Sequence, residues 1–131
     1  MKARLALLAV TVMLAGAAAA PAYAADAAPR SVNVTTGQGP GACDWGQICL
    51  YRDYGLNRSG PAPILKANED VPWFGDYNFN DTASSVCNFS GRFAAVFRDS
   101  NYEGPSVPVA SGQCKDVPAW FNDSASSVKL Y

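Results

Sequence analysis

Residues 79–86 read FNDTASSV and residues 121–128 read FNDSASSV, so seven of eight positions are identical across an offset of 42. Working outward, Asp70-Val71-Pro72 falls on Asp116-Val117-Pro118, and Cys49-Leu50-Tyr51-Arg52-Asp53 falls on Ala95-Val96-Phe97-Arg98-Asp99, both at an offset of 46. One structural unit is written twice. The change of offset places four extra residues in the first copy, around Gly75-Asp76-Tyr77-Asn78, where they enlarge a loop and leave the strands undisturbed.

Apolar and aromatic residues within each copy come in brief alternating runs bounded by Gly, Pro, Asn, Asp and Ser, which predicts four short strands and no long helix. Ile48-Leu50-Arg52 and Cys49-Tyr51-Asp53 separate onto two faces of one strand, as do Phe93-Ala95-Phe97 and Arg92-Ala94-Val96-Arg98. Gly55 to Gly60 and Ser100 to Gly104 read as hairpin turns into Pro63-Ile64-Leu65 and Val107-Pro108-Val109, and Asp116 to Trp120 as a short helical turn. Two four-stranded copies then pack most simply face to face, giving an all-β sandwich.

The 131 residues carry ten basic and eleven acidic side chains, a net charge of -1, and no histidine. Such a surface is too weakly basic for nucleic acid, and it holds no polybasic run for an anionic membrane. Without histidine, the serine-histidine and cysteine-histidine nucleophile pairs and the usual zinc sites fall away. Glu69 with Asp70, or Glu103 with Asp99, resembles a glycosidase pair only in being acidic, and neighbouring acids in turns are ordinarily solvated. An enzyme is not expected.

Met1 to Arg4 form a positive leader and Leu5 to Ala20 an apolar run of 16 residues, broken by Pro21 ahead of Ala22-Tyr23-Ala24. That run is shorter than the roughly 20 residues of a spanning helix, so residues 1–24 read as a cleaved signal peptide and the protein as secreted and extracellular. Removal of Lys2 and Arg4 leaves eight basic against eleven acidic residues, net -3. Residues 25–42 are small, polar and punctuated by Gly and Pro, with only Val32 and Val34 to bury, and read as a flexible tail. The domain is then 43–131, with copies at about 43–90 and 91–131 and 14 aromatic side chains for a core. Four cysteines in a small exported domain imply two disulfides. Of three possible pairings, Cys43 with Cys49 and Cys87 with Cys114 asks least of the backbone, the second bracing the later copy. Trp73 and Trp120 correspond across the repeat and are expected in the core, whereas Trp45 could be exposed.

Phe97, Tyr102 and Gly104, followed by Asn122-Asp123-Ser124-Ala125-Ser126-Ser127, resemble the paired signature of a βγ-crystallin Greek key: an aromatic hairpin and an N/D-N/D-x-x-S/T-S loop. The loop recurs at Asn80 to Ser85, so the resemblance implies two Greek-key repeats packed as a βγ-crystallin-like sandwich. The first hairpin departs from the pattern, with Leu56 and Arg58 in place of the aromatic and the glycine, and should have a different tip. In calcium-binding members the two loops work crosswise. Carried over, the resemblance implies Ca2+ ligands from the side chains of Asp81 and Asp123, the carbonyls of Thr82 and Ser124, the hydroxyls of Ser84 and Ser126, and the carbonyl of Glu103. Calcium wants six to eight oxygens, which such loops present together, and one carboxylate per loop implies weak affinity, on the order of 10⁻⁵ to 10⁻³ M. The competing reading is that each loop only builds an Asx-type turn.

Cys43-x5-Cys49-Leu50-Tyr51, after a leader and a tail, is similar to the opening of the secreted bacterial peptidase inhibitors with a crystallin-like fold, the family of the microbial metalloproteinase inhibitor. That resemblance implies a monomeric inhibitor of a secreted metallo- or serine protease. The candidate inhibitory loops are Asp44 to Ile48, the hairpin tip Asn57-Arg58-Ser59, and the loop near Cys87 or Cys114. A calcium-stabilised extracellular module and a secreted toxin are the alternatives on this scaffold.

Overall fold

A computed structural model describes residues 29–131, so the leader and the start of the tail lie outside the described residues. Eight strands run in chain order: β1 Val32–Gly37, β2 Ile48–Tyr51, β3 Ala62–Ala67, β4 Ser85–Asn88, β5 Ala94–Asp99, β6 Glu103–Val109, β7 Cys114–Asp116 and β8 Ser127–Leu130. They form a five-stranded sheet ordered β1-β3-β2-β4-β7 and a three-stranded sheet ordered β6-β5-β8. Every pairing is antiparallel.

The two copies are not separate sheets. Strand β7 belongs to the second copy yet pairs with β4 of the first, while Val71 of the first bridges Val128 of the second. The two-repeat sandwich stands, but its sheets are not one copy each: the second copy lends β7 to the first sheet, and the first answers with the single bridge at Val71. The lent valines explain the exchange, because Val71 and Val117 are both buried in the common core while their backbones find partners in Val128 and Ser84.

Alternation within strands separates two apolar clusters. Ile48, Leu50, Leu65 and Val86 of the larger sheet meet Ala94, Val96, Val107, Val109 and Val128 of the smaller, with Phe74, Phe79 and Phe121 completing that core. Cys49 and Tyr51 face the other way and pack with Cys43, Leu56, Ile64 and Cys87 on the outer side of the larger sheet.

The flexible tail expected over 25–42 is corrected from Val32 onward. Strand β1 pairs along its whole length with β3, and Pro40–Ala42 form a short 3-10 turn. The anchors are backbone groups. Gly39 N–H donates to Leu56 O at 2.7 Å, Tyr51 Oη–H to Gly39 O at 2.9 Å, and Asn57 Nδ2–H to Gly37 O at 3.2 Å. A Cβ at Gly37 would stand 3.1 Å from Ala42 Cβ and 3.2 Å from Ile64 Cδ1. The glycine that reads as disorder is what lets the strap lie close.

The core placement of Trp73 and Trp120 is also corrected, since they are 46% and 56% exposed. Phe74, Phe79 and Phe121 fill the core end instead, and Trp120 caps Phe121 edge-on at 5.4 Å. The four-residue insertion makes the turn Phe74–Tyr77, closed by Asn78 in the left-handed region at φ 54°, and it carries Phe74 into the core. The helical turn expected before the last strand spans Ala119–Phe121. Among the described residues, no helix is long and apolar enough to cross a membrane.

Candidate functional site

The two repeated loops cross. Asp81 and Asp123 both take φ 55°, which turns each backbone toward the other loop. Asp81 N–H donates to Ala125 O at 3.0 Å and Asp123 N–H to Ala83 O at 3.2 Å. Ser84 Oγ–H reaches Asp123 Oδ1 at 3.3 Å. Within each loop the third residue makes a local turn, Thr82 Oγ1–H to Asn80 O at 2.9 Å and Ser124 Oγ–H to Asn122 O at 3.2 Å. The last serine of each loop holds the hairpin of its own copy. Ser85 Oγ donates to Asp53 O at 2.6 Å and accepts Leu56 N–H at 3.0 Å; Ser127 Oγ does the same with Asp99 O and Tyr102 N–H at the same distances. The two hairpins part at their tips, where the first places Asn57 at φ 57° and the second Gly104 at φ 77°.

Asp81, Thr82, Ser84 and Asp123 line one open depression together with Arg52 and Tyr54, whereas Ser124, Ser126 and Glu103 do not line it. Glu103 is exposed at the start of β6. Among the described residues, no three Asp, Glu, Cys or His side chains cluster as metal ligands. A cation there would depend on neutral oxygens: Asn122, which lines the depression, and Asn80, its counterpart in the other loop, which does not, each have a buried Oδ1 that accepts no hydrogen bond. A buried acceptor lacking a donor, in a residue that shares a lining with carboxylates and a hydroxyl, suits a hard cation. Arg52 opposes it in part, although its guanidinium is drawn to Asp53 at 3.0 Å.

A second constellation lies around the first disulfide. Cys43 is bonded to Cys49, and Cys87 to Cys114. The latter joins β4 to β7, so it ties the two copies together, which corrects its expected role of bracing the later copy alone. Inside the Cys43–Cys49 ring, Gln47 N–H donates to Asp44 O at 3.3 Å and Gly46 takes φ 92°, making a tight turn with Trp45 at its second position. Gly46 N–H donates to Phe89 O at 2.8 Å, and Phe89 N–H to Gln47 O at 2.8 Å. The Phe89 ring stacks beneath Trp45, centroids 6.1 Å apart at 23°. Trp45 is nonetheless 83% exposed. Phe89 carries no signal in the sequence, because it reaches the turn only through the β2–β4 pairing.

Exchanged strands, crossed serine loops and paired hairpin clamps define a βγ-crystallin domain. Solved structures agree: one described as "Evolution of the eye lens beta-gamma-crystallin domain fold" aligns at TM-score 0.64 and 22% identity over 77% of this chain and 97% of its own. A βγ-crystallin from Ciona intestinalis aligns at TM-score 0.56 and 26% identity over 66% of this chain and 100% of its own. A βγ-crystallin domain from Clostridium beijerinckii aligns at 0.52 and 24%, over 65% and 97%. The family model of peptidase inhibitor family I36 matches residues 36–109, and the chain belongs to that family. It is a peptidase inhibitor on a βγ-crystallin scaffold, not an enzyme. No curated protein matches the chain.

Proposed function

We propose that the chain works outside the cell as a reversible, stoichiometric, monomeric inhibitor of a secreted peptidase, with calcium holding the halves of its sandwich together. The observation that carries the inhibitory reading beyond family membership is the locked loop between Cys43 and Cys49, fixed at its base by the disulfide and along its flank by two hydrogen bonds to Phe89. A loop already ordered loses little entropy on binding, so its contacts go into affinity. Two disulfides and the leader-like residues 1–24 support export, because disulfides persist in oxidising compartments. Titration of purified mature protein against secreted metallo- and serine peptidases tests the reading. It predicts inhibition saturating at one inhibitor per enzyme.

Calcium would be held in the depression by Asp81, Thr82, Ser84 and Asp123, with Ser124, Ser126 and Glu103, which do not line it, as the counterpart set. The support is the crossed geometry and the partnerless oxygen of Asn122, which lines the depression. The ion would supply a link between the two copies in the folded state alone. Magnesium, with its smaller and stricter octahedral shell, would replace it poorly.

A further inference from the structure

We infer that Trp45 is the side chain with which this inhibitor engages its peptidase, entering a deep apolar pocket as a plug while the turn that carries it keeps the backbone from lying in the cleft as a substrate. The inference rests on the inhibitor reading above and names the contact that reading leaves open.

An indole has a large apolar surface, and its exposure here is 83%, against 46% for Trp73 and 56% for Trp120. The other two lean on their own copies: a Cβ at Gly75 would collide with the Trp73 ring, and Trp120 lies against Phe121. Trp45 has only one face supported, by Phe89, and presents the other to solvent. Its backbone is fixed by the Cys43–Cys49 bond, by the turn bond from Gln47 N–H to Asp44 O, and by both hydrogen bonds to Phe89. Tryptophan is enriched, with tyrosine and arginine, among the residues that carry binding energy at interfaces, and a preorganised one gains a large contact area with few rotors to freeze.

The chemistry of the tip selects the pocket. Asp44, the one charged residue in the turn, faces Lys66 Nζ at 3.7 Å, and Gly46 and Gln47 are neutral. The complementary surface is therefore an apolar pocket wide enough for an indole, with no buried charge of its own. Geometry selects the mode. A peptidase grips its substrate as an extended strand, but residues 44–47 are folded back by a 3.3 Å hydrogen bond, and Gly46 at φ 92° holds the reversal. Straightening the turn would break that bond and both bonds to Phe89, within a ring the disulfide keeps closed. The peptide bonds flanking Trp45 are thus withheld from attack. The hairpin tip at Arg58 has no covalent brace and is held by hydrogen bonds alone, from its backbone and from the side chains of Asn57 and Ser85.

The test uses the mature protein and whichever peptidase the titration above shows to be inhibited. Inhibition constants are measured for wild type, Trp45→Ala, Trp45→Phe and Arg58→Ala, with melting temperatures to confirm folding; the inhibitor is recovered after long incubation and weighed intact by mass spectrometry. Trp45→Ala is expected to weaken inhibition about 100-fold at an unchanged melting temperature. Trp45→Phe is expected to retain inhibition within about tenfold, and Arg58→Ala to match wild type. No cleavage between Asp44 and Gln47 is expected. Wild-type potency in Trp45→Ala, or loss confined to Arg58→Ala, overturns the inference and leaves the inhibitor reading standing. Cleavage within the turn overturns the plug. A wild-type protein inert against every peptidase overturns the inhibitor reading, and the inference with it.

Discussion

Asn57 closes the first hairpin from inside. It is fully buried at φ 57°, accepts Asp53 N–H on Oδ1 at 2.8 Å, and donates from Nδ2 to Ala62 O at 3.0 Å, Gly37 O at 3.2 Å and Pro63 O at 3.3 Å. Asn57→Ala leaves those groups unpaired and puts alanine, which lacks asparagine's tolerance of the left-handed region, at φ 57°, so it should cost about 3 kcal/mol in urea unfolding. Leu56 and Arg58 in place of the expected aromatic and glycine make a changed tip legible in the sequence. That Asn57 would reach β1 was not legible, because nothing in a turn asparagine distinguishes a plug from an ordinary left-handed residue. Tyr51 offers a pH test of the same region. Burial beneath the strap pushes its hydroxyl up to about 12, with the Arg58 charge pulling the other way. A phenol that ionises near 10 when unfolded and near 12 when folded contributes stability that is complete below pH 10 and lost as pH rises toward 12. Wild-type denaturant midpoints should fall across that window, and Tyr51→Phe should fall less steeply.

Among the elements, the disulfides divide unequally. Cys87 and Cys114 are 27 residues apart and Cys43 and Cys49 only 6, so the chain-entropy account assigns about 3.5 kcal/mol to the first and about 2 kcal/mol to the second. Replacing both members of each pair by Ser should reproduce that order in melting temperature, whereas opening the shorter ring should weaken inhibition more, because it frees the Trp45 turn. Which cysteines pair was legible from spacing; what the longer bond joins was not, because the exchange of β7 into the first sheet is a property of the assembled keys. The order of the strap is hidden in the sequence for a related reason. A stretch with two valines offers little to bury, and its order comes instead from six residues of ladder with β3 and from glycines that admit close contact. The exposure of Trp73 and Trp120 departs from expectation because matching positions in a repeat imply matching environments, not buried ones.

For the whole molecule, the crossed loops place the repeated signature where the two keys meet, so a cation held there would couple their unfolding. An ion bound only by the native state adds stability as RT ln(1 + [Ca]/Kd), about 2.7 kcal/mol at a hundredfold excess over Kd. The melting temperature should therefore rise between chelator and about 10 mM calcium, a concentration near saturation for affinities of this kind, and Asp81→Asn with Asp123→Asn should abolish the rise. An unchanged melting temperature would leave the loops as turns. The fold is legible because a duplicated eight-residue loop constrains both halves at once; the Asp44 to Ile48 loop is legible as one candidate among several, while the support of Trp45 is not, because it comes from Phe89 at a distance in sequence. The most direct measurement is the titration of a susceptible secreted peptidase with the mature, oxidised protein. The account predicts activity falling linearly to zero at one inhibitor per enzyme, with intact inhibitor recovered on dissociation; no inhibition by micromolar protein across metallo- and serine peptidases would contradict it.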